Sequence, residues 1–545
     1  MFRKSLALIA AALVGSAASW AGAQEVYDHD VVVTGARSNA VGWQVATSRH
    51  FVVYMRDTPQ HVGQYAAKLE HFDKAIRVLH GTPEDNRGAA SRVTVFMLDS
   101  VDEVQRIAHN DRIAGYYEPN IHAVAFMPRN TGEGRDFGFT SQAVMFHEYT
   151  HHWMLTNWVD AAFPAWYTEG NAELHATAIF RSDGSVTFGA VPTYRQNSMD
   201  SGVVPASMLL RGRVDRLDER QAATLYGRGW LLTHYLTFDP ARRNELAAYV
   251  AAVNSGKTID EAAAVLGDVG SLDGRMNAYG RRAQLPSLTM PADQLQIDRV
   301  AVRALSAAEA AAMPALIRSK SGVGKTTAPQ VLAMAQQAAN AFPNDAATLN
   351  ELAEAEYDVA STGAEANAVP GLQRAMAAAD RAIAVDPHSV HALLYRGMAE
   401  QGVAEAQHKT DDPTWRSVRS WFIRANRADT EDPEPLLTYY ESFRVPHQTP
   451  SAGALNGVIY AYALAPHSLD ARFDATKVLL TQGKLREARA AIAPIAYRAD
   501  LGDQGKNFLK VLTAIDGGNA AAALAAITEI ETKADADRAK ARNHA

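Results

Sequence analysis

The chain has 545 residues, 53 Lys plus Arg against 60 Asp plus Glu, a net charge of −7, 47% hydrophobic residues and no cysteine. So mild a charge leaves no electrostatic footprint for nucleic acid, which needs clustered Lys and Arg. The absence of cysteine excludes disulfides, thiolate-held zinc, iron–sulfur clusters and thiol nucleophiles, so any metal must rest on His and carboxylates.

Taken in chain order, Arg3 and Lys4 come first, then an apolar run from Leu6 to Val14, then Ala21-Gly22-Ala23 as a small-residue cleavage site. This form predicts a cleavable secretory signal over residues 1–23 and a mature protein in the periplasm or outside the cell. A membrane anchor needs about 20 unbroken apolar residues, and no stretch of the chain supplies them. From about Gly42 to Pro128, short β-type runs alternate with helical text. Phe51–Tyr54 and Val93–Met97 are rich in β-branched and aromatic residues and predict buried strands, with a helix over Val62 to Leu79 between them. Ile121–Phe126 follows the turn Glu118-Pro119-Asn120 and predicts an edge strand suited to pairing with an extended peptide. Thr140–Asn157 predicts a helix, and the text from Phe163 to about Tyr279 is mostly helical.

Within the predicted helix stands Phe146-His147-Glu148-Tyr149-Thr150-His151-His152-Trp153. The i, i+4 spacing sets His147 and His151 on one face, where each offers an imidazole nitrogen to one Zn²⁺, and Glu148 lies within reach of a water at that ion. Met154 and Asn157 occupy the positions where a metzincin places Gly and its third His, which excludes that class. Downstream runs Phe163-Pro164-Ala165-Trp166-Tyr167-Thr168-Glu169-Gly170-Asn171-Ala172-Glu173, and Pro164 suits the start of a helix.

The pair H-E-x-x-H and W-x-x-E-G resembles the gluzincin metallopeptidases, in particular the aminopeptidase N-like superfamily and its shorter bacterial relatives of the peptidase MA-like type. The resemblance implies an α+β zincin-like domain over residues 24–295, Zn²⁺ as cofactor, Glu169 as third ligand, Glu173 as support for a ligating His, and Glu148 as general base. The spacer from His151 to Glu169 is one residue shorter than in that superfamily. The family places a transition-state tyrosine in Y-x-K-G, and Tyr226-Gly227-Arg228-Gly229 is similar apart from Arg for Lys, so Tyr226 would open a later helix and donate to the oxyanion. The G-x-M-E-N strand that binds a free N-terminus in aminopeptidases has no counterpart; Glu118 reads as a turn residue. The expected activity is therefore peptide-bond hydrolysis other than general aminopeptidase action. A scaffold that keeps the fold without turnover is the alternative.

After about residue 300 the text becomes Ala-rich and helical, with Pro in loop-like sites at Phe342-Pro343, Asp386-Pro387, Asp432-Pro433 and Ala465-Pro466. Ala375, Ala382 and Gly397 fall where small residues let helices approach. Residues 331–545 resemble degenerate tetratricopeptide repeats, which implies a protein partner, with 296–330 as linker. In that linker Lys320–Thr327 resembles a phosphate-binding loop, but helical text precedes it where a strand is required. His122, His152, His175 and His234 read as structural histidines, and Arg211, Arg213 and Arg216 as a solvated loop.

Overall fold

The computed structural model describes residues 31–33, 41–111, 113–129, 140–199, 204–211, 219–242, 244–363, 368–497 and 502–543. The export signal, Arg213 and Arg216 lie outside these residues. Among the described residues, the N-terminal part is a mixed α/β unit and the C-terminal part is entirely helical. No helix among them is long and apolar enough to cross a membrane.

The main sheet contains β1 (Val31–Val33), β2 (Gly42–Thr47), β3 (Phe51–Asp57), β4 (Val93–Leu98), β5 (Tyr116–Glu118), β6 (Val124–Pro128) and β10 (Val300–Ala304) in the order β1-β10-β2-β3-β4-β6-β5. β3, β4 and β6 run parallel, and β5 folds back antiparallel on β6, with Tyr117 opposite Ala125. Strand alternation sends Phe51, Val53 and Met55 to one face. There they meet α1 (Pro59–His80) and α3 (Ser141–Asn157) in the principal core. Phe96 and Phe126 point to the other face, against α2 (Val101–Ala108) and Met313 and Ile317 of α11 (Ala307–Lys320). α1 starts where Thr58 accepts from the His61 amide and Pro59 fills the first turn, and it stops at Gly81, whose φ of 61° is the left-handed cap.

Two expectations need correction. Ile121 and His122 lie in the turn, not in a strand, and β6 is interior; the sheet edge is β5, which holds Glu118 as a strand residue. The reason is register: Val124, Ala125 and Phe126 align with Thr94, Val95 and Phe96, leaving the residues before them to reverse the chain. The segment 296–330 is also no simple linker. Val300 and Val302 are buried and insert β10 between β1 and β2, while α11 packs on the sheet.

α4 (Ala165–Ala176) follows, then a small sheet of β7 (Ile179–Phe180), β8 (Val186–Phe188) and β9 (Leu288–Met290). The helices α5 (Gln196–Met199), α6 (Ala206–Arg211), α7 (Glu219–Phe238), α8 (Glu245–Asn254), α9 (Ile259–Ala263) and α10 (Leu272–Gly280) complete this unit. The helical part runs through α12 (Ala328–Ala341), α13 (Ala346–Ser361), α14 (Ala368–Val385), α15 (Val390–Ala406), α16 (Asp412–Ala428) and α17 (Glu434–Glu441). It continues with α18 (Ala452–Leu464), α19 (Leu469–Thr481), α20 (Leu485–Ala496), α21 (Gly502–Asp516) and α22 (Ala520–Asn543). Its loops fall at the proline sites read from the sequence. Ala375 and Ala382 are fully buried, and a Cβ on Gly397 would lie 2.7 Å from Phe422 of α16, so only glycine admits that crossing.

Candidate metal centre

α3 is capped by Thr140, whose hydroxyl accepts from the Ala143 amide at 3.1 Å. One face of α3 is locked into the core: Phe146 stacks on Phe72 with ring centroids 3.7 Å apart, and the Tyr149 hydroxyl donates to Asp73 at 2.7 Å. That leaves His147, Glu148 and His151 together on the half-buried face, as the helical period requires. α4 crosses this face and brings Glu169 to it. Nε2 of His147 lies 3.3 Å from Nε2 of His151 and 3.3 Å from Oε2 of Glu169, and His151 Nε2 is 3.7 Å from the same oxygen.

This triangle fits zinc. Donors about 2.0–2.2 Å from one tetrahedral ion stand roughly 3.4 Å from each other, and imidazole and carboxylate are zinc's ordinary ligands in a protein without cysteine. Two other His–carboxylate groups in the described residues already enclose an organic cation: His50, Asp73 and Glu84 hold Arg77 and Lys74, and Glu351, Glu354 and His391 hold Lys320. Glu169 has only His147 and His151 as ion-pair partners among the described residues.

Behind the triangle, Glu173 is 1% exposed and turns Oε1 to His147 Nδ1 at 3.4 Å. It also accepts from Tyr194 at 2.9 Å and from Arg195 at 2.8 and 3.0 Å. Burial alone would raise the Glu173 carboxyl, but the His147 hydrogen bond and Arg195 bring it down to about 2. His147 answers in kind: burial lowers it, yet its bonds to Glu169 and Glu173 lift it to about 10. Glu148 is pushed up to about 7, first by burial and then by the Glu169 charge, against the pull of His147 and of the Tyr117 backbone N–H that it accepts. Its neighbour is thus the edge strand β5.

Tyr226 sits inside α7 rather than opening it, because the helix begins at Glu219. Its ring lies 5.9 Å from His147 and under the Arg195 guanidinium at 4.7 Å. The charge of Glu169, then burial, holds its phenol well above the ordinary value, so the proton stays on oxygen. The glycines around it are explained by contact. A Cβ on Gly170 would stand 2.3 Å from the Gly229 carbonyl, and one on Gly227 2.3 Å from Ser198 Oγ. α4 and α7 therefore cross backbone to backbone and carry Glu169 and Tyr226 to the same place. Arg228 turns away from the site, buried against Asp273 and Asn277 of α10.

The remaining histidines fill other roles. His152 donates from Nε2 to the Ser91 carbonyl at 3.1 Å and accepts from the Tyr117 hydroxyl at 2.8 Å. His234 is bound the same way between the Gly189 carbonyl and Tyr279, and His175 is fully buried 3.2 Å from His80. His122 departs from the lone histidine read in the sequence: it meets Glu434 and Asp432 of the helical part at 3.2 and 3.4 Å. Arg211 is exposed beside Asp260. Lys320 ends a helix and is held by Glu354, so the phosphate-loop context is absent. No protein-family model matches the chain, and no curated protein matches it.

Proposed function

We propose that the chain is an exported zinc metallopeptidase of gluzincin type, with a zincin-like N-terminal half and a tetratricopeptide-like helical half that engages a protein partner. The observation that carries this reading is the closed triangle of His147, His151 and Glu169 with Glu148 beside it and Glu173 behind it. Zinc, when bound there, supplies Lewis-acid activation of water and of a peptide carbonyl.

The chain's own residues do the rest. Glu173 and Arg195 fix the ring of His147 through Nδ1, so that Nε2 faces the ligand position. Glu148, held by the Tyr117 amide, takes the proton of the attacking water on its carboxylate and returns it to the leaving amine. Tyr226 keeps its phenolic proton and donates a hydrogen bond to the developing oxyanion. Among the described residues β5 pairs with β6 alone and lies at the edge of the sheet, the position at which an extended substrate strand would be added.

Glu148→Gln should keep one zinc per chain and lower hydrolysis of a mass-spectrometric peptide library by roughly 10²–10⁴-fold. His147→Ala should lose the zinc. Full peptide cleavage in Glu148→Gln would overturn the mechanism, and a purified protein that binds zinc but cleaves nothing would identify the scaffold instead.

A further inference from the structure

We propose that a cavity in the helical half binds a lysine or arginine side chain of a polypeptide, with Asp474 as its counter-charge. The site is a cavity of about 820 Å³ walled by α17, α19, α21 and α22. Four aromatic rings line it, Tyr440, Phe443, Phe473 and Phe508, the last two in edge contact with centroids 5.9 Å apart. Such walls suit the methylene stem of a long cationic side chain and attract its charge through the ring faces.

At the cavity wall stands Asp474, 9% exposed, whose Oδ2 is buried and has no hydrogen-bond partner. A buried carboxyl oxygen is normally hydrogen-bonded, so one left without a partner at a cavity wall can take a donor from an entering cation. The surrounding charge has the matching sign: the lining acids are Glu441, Asp470, Asp474 and Glu531 against the cations Arg444 and Lys477. Lys477 is already bound to Glu531 at 2.7 Å. Burial first, then Glu441 and Asp470, hold the Asp474 carboxyl well above the usual carboxylate range, with Lys477 and Glu531 the other charges acting on it. An entering cation therefore displaces a proton.

That the ligand is a polypeptide follows from the shape. A second cavity of about 510 Å³ shares Glu441 and Asp470 with the first and extends past Leu437 and Glu434 to Ile121. Ile121 lies in the turn between β5 and β6. Two adjoining cavities that together reach from Asp474 to the β5–β6 turn give room for an extended chain rather than for one small molecule. The proposal does not depend on zinc or turnover.

The test uses the full-length protein and positional-scanning hexapeptide pools with one position fixed as Lys, Arg, norleucine, citrulline or Glu. Retention of the Lys and Arg pools should exceed that of norleucine and citrulline by at least tenfold. Asp474→Asn, which keeps shape, should erase that preference, and Glu441→Gln should weaken it, both with unchanged circular dichroism. Equal retention of Lys and norleucine pools, or a preference surviving in Asp474→Asn, would overturn it.

Discussion

Glu173 shows how a buried carboxylate sets the state of a histidine on the neighbouring helix. It is the shared acceptor of His147, Tyr194 and Arg195, so Glu173→Gln removes the charge that orients His147. Zinc affinity should fall about 10- to 100-fold, read by competition with a chromophoric chelator, while Glu173→Asp retains part of it. Asp474 offers the reverse case. Its folded pKa is raised, so its ionisation opposes folding: the penalty is absent below the unfolded value of about 3.8 and grows as pH rises toward the folded one. Asp474→Asn should therefore stabilise the protein by ~1–3 kcal/mol at pH 7, and the gain in melting temperature should vanish near pH 4. His147, Glu148 and His151 were legible because one helical period sets them on a shared face, whereas Glu169, on another helix, was reached only through the resemblance to the gluzincins. Tyr194 and Arg195 were not, since they lie in a short 3₁₀ turn with no periodic signal and reach Glu173 only through the fold.

Between elements, the decisive contact is the crossing of α4 and α7. Alanine is favoured over glycine in a helix by ~1 kcal/mol, yet Gly170→Ala would drive a methyl into the Gly229 carbonyl. We expect a net loss of roughly 1–3 kcal/mol by calorimetry, with zinc retained and peptide cleavage reduced as Tyr226 moves away from Glu169. The sequence showed glycines beside Glu169 and Tyr226 but not that they face each other, because the two helices are separated by a long stretch of chain. The same limit hid β10. Its Val-Ala-Val text is too short to signal a strand alone, and only pairing with β1 and β2 makes it one. β3, β4, α1 and α3 were readable because each carries its own periodicity.

At the scale of the molecule, the two parts are joined by buried chemistry. Arg472 of α19 is fully buried and donates to the carbonyls of Leu155 and Val159 at the C-terminal end of α3, at 3.1 and 3.2 Å. A cation there also complements the helix dipole. His467 packs its ring on His152 with centroids 4.9 Å apart, and Ala162 belongs to the core of the helical part. A chain ending at residue 330 should melt at lower temperature, and the amides in the last turn of α3 should exchange faster than in the full-length protein. Arg472→Met in the intact chain should reproduce the exchange change at a cost on the order of 3 kcal/mol, since five carbonyls, those of Leu155, Val159, Pro466, Ala490 and Ala491, lose a charged donor.

The position of Arg472 in the chain also sets an order of events. The helix that bears His147 and His151 is synthesised early, but the guanidinium that completes its end comes more than 300 residues later. A nascent chain therefore carries the two histidines before the guanidinium that binds the carbonyls at the end of their helix has been made.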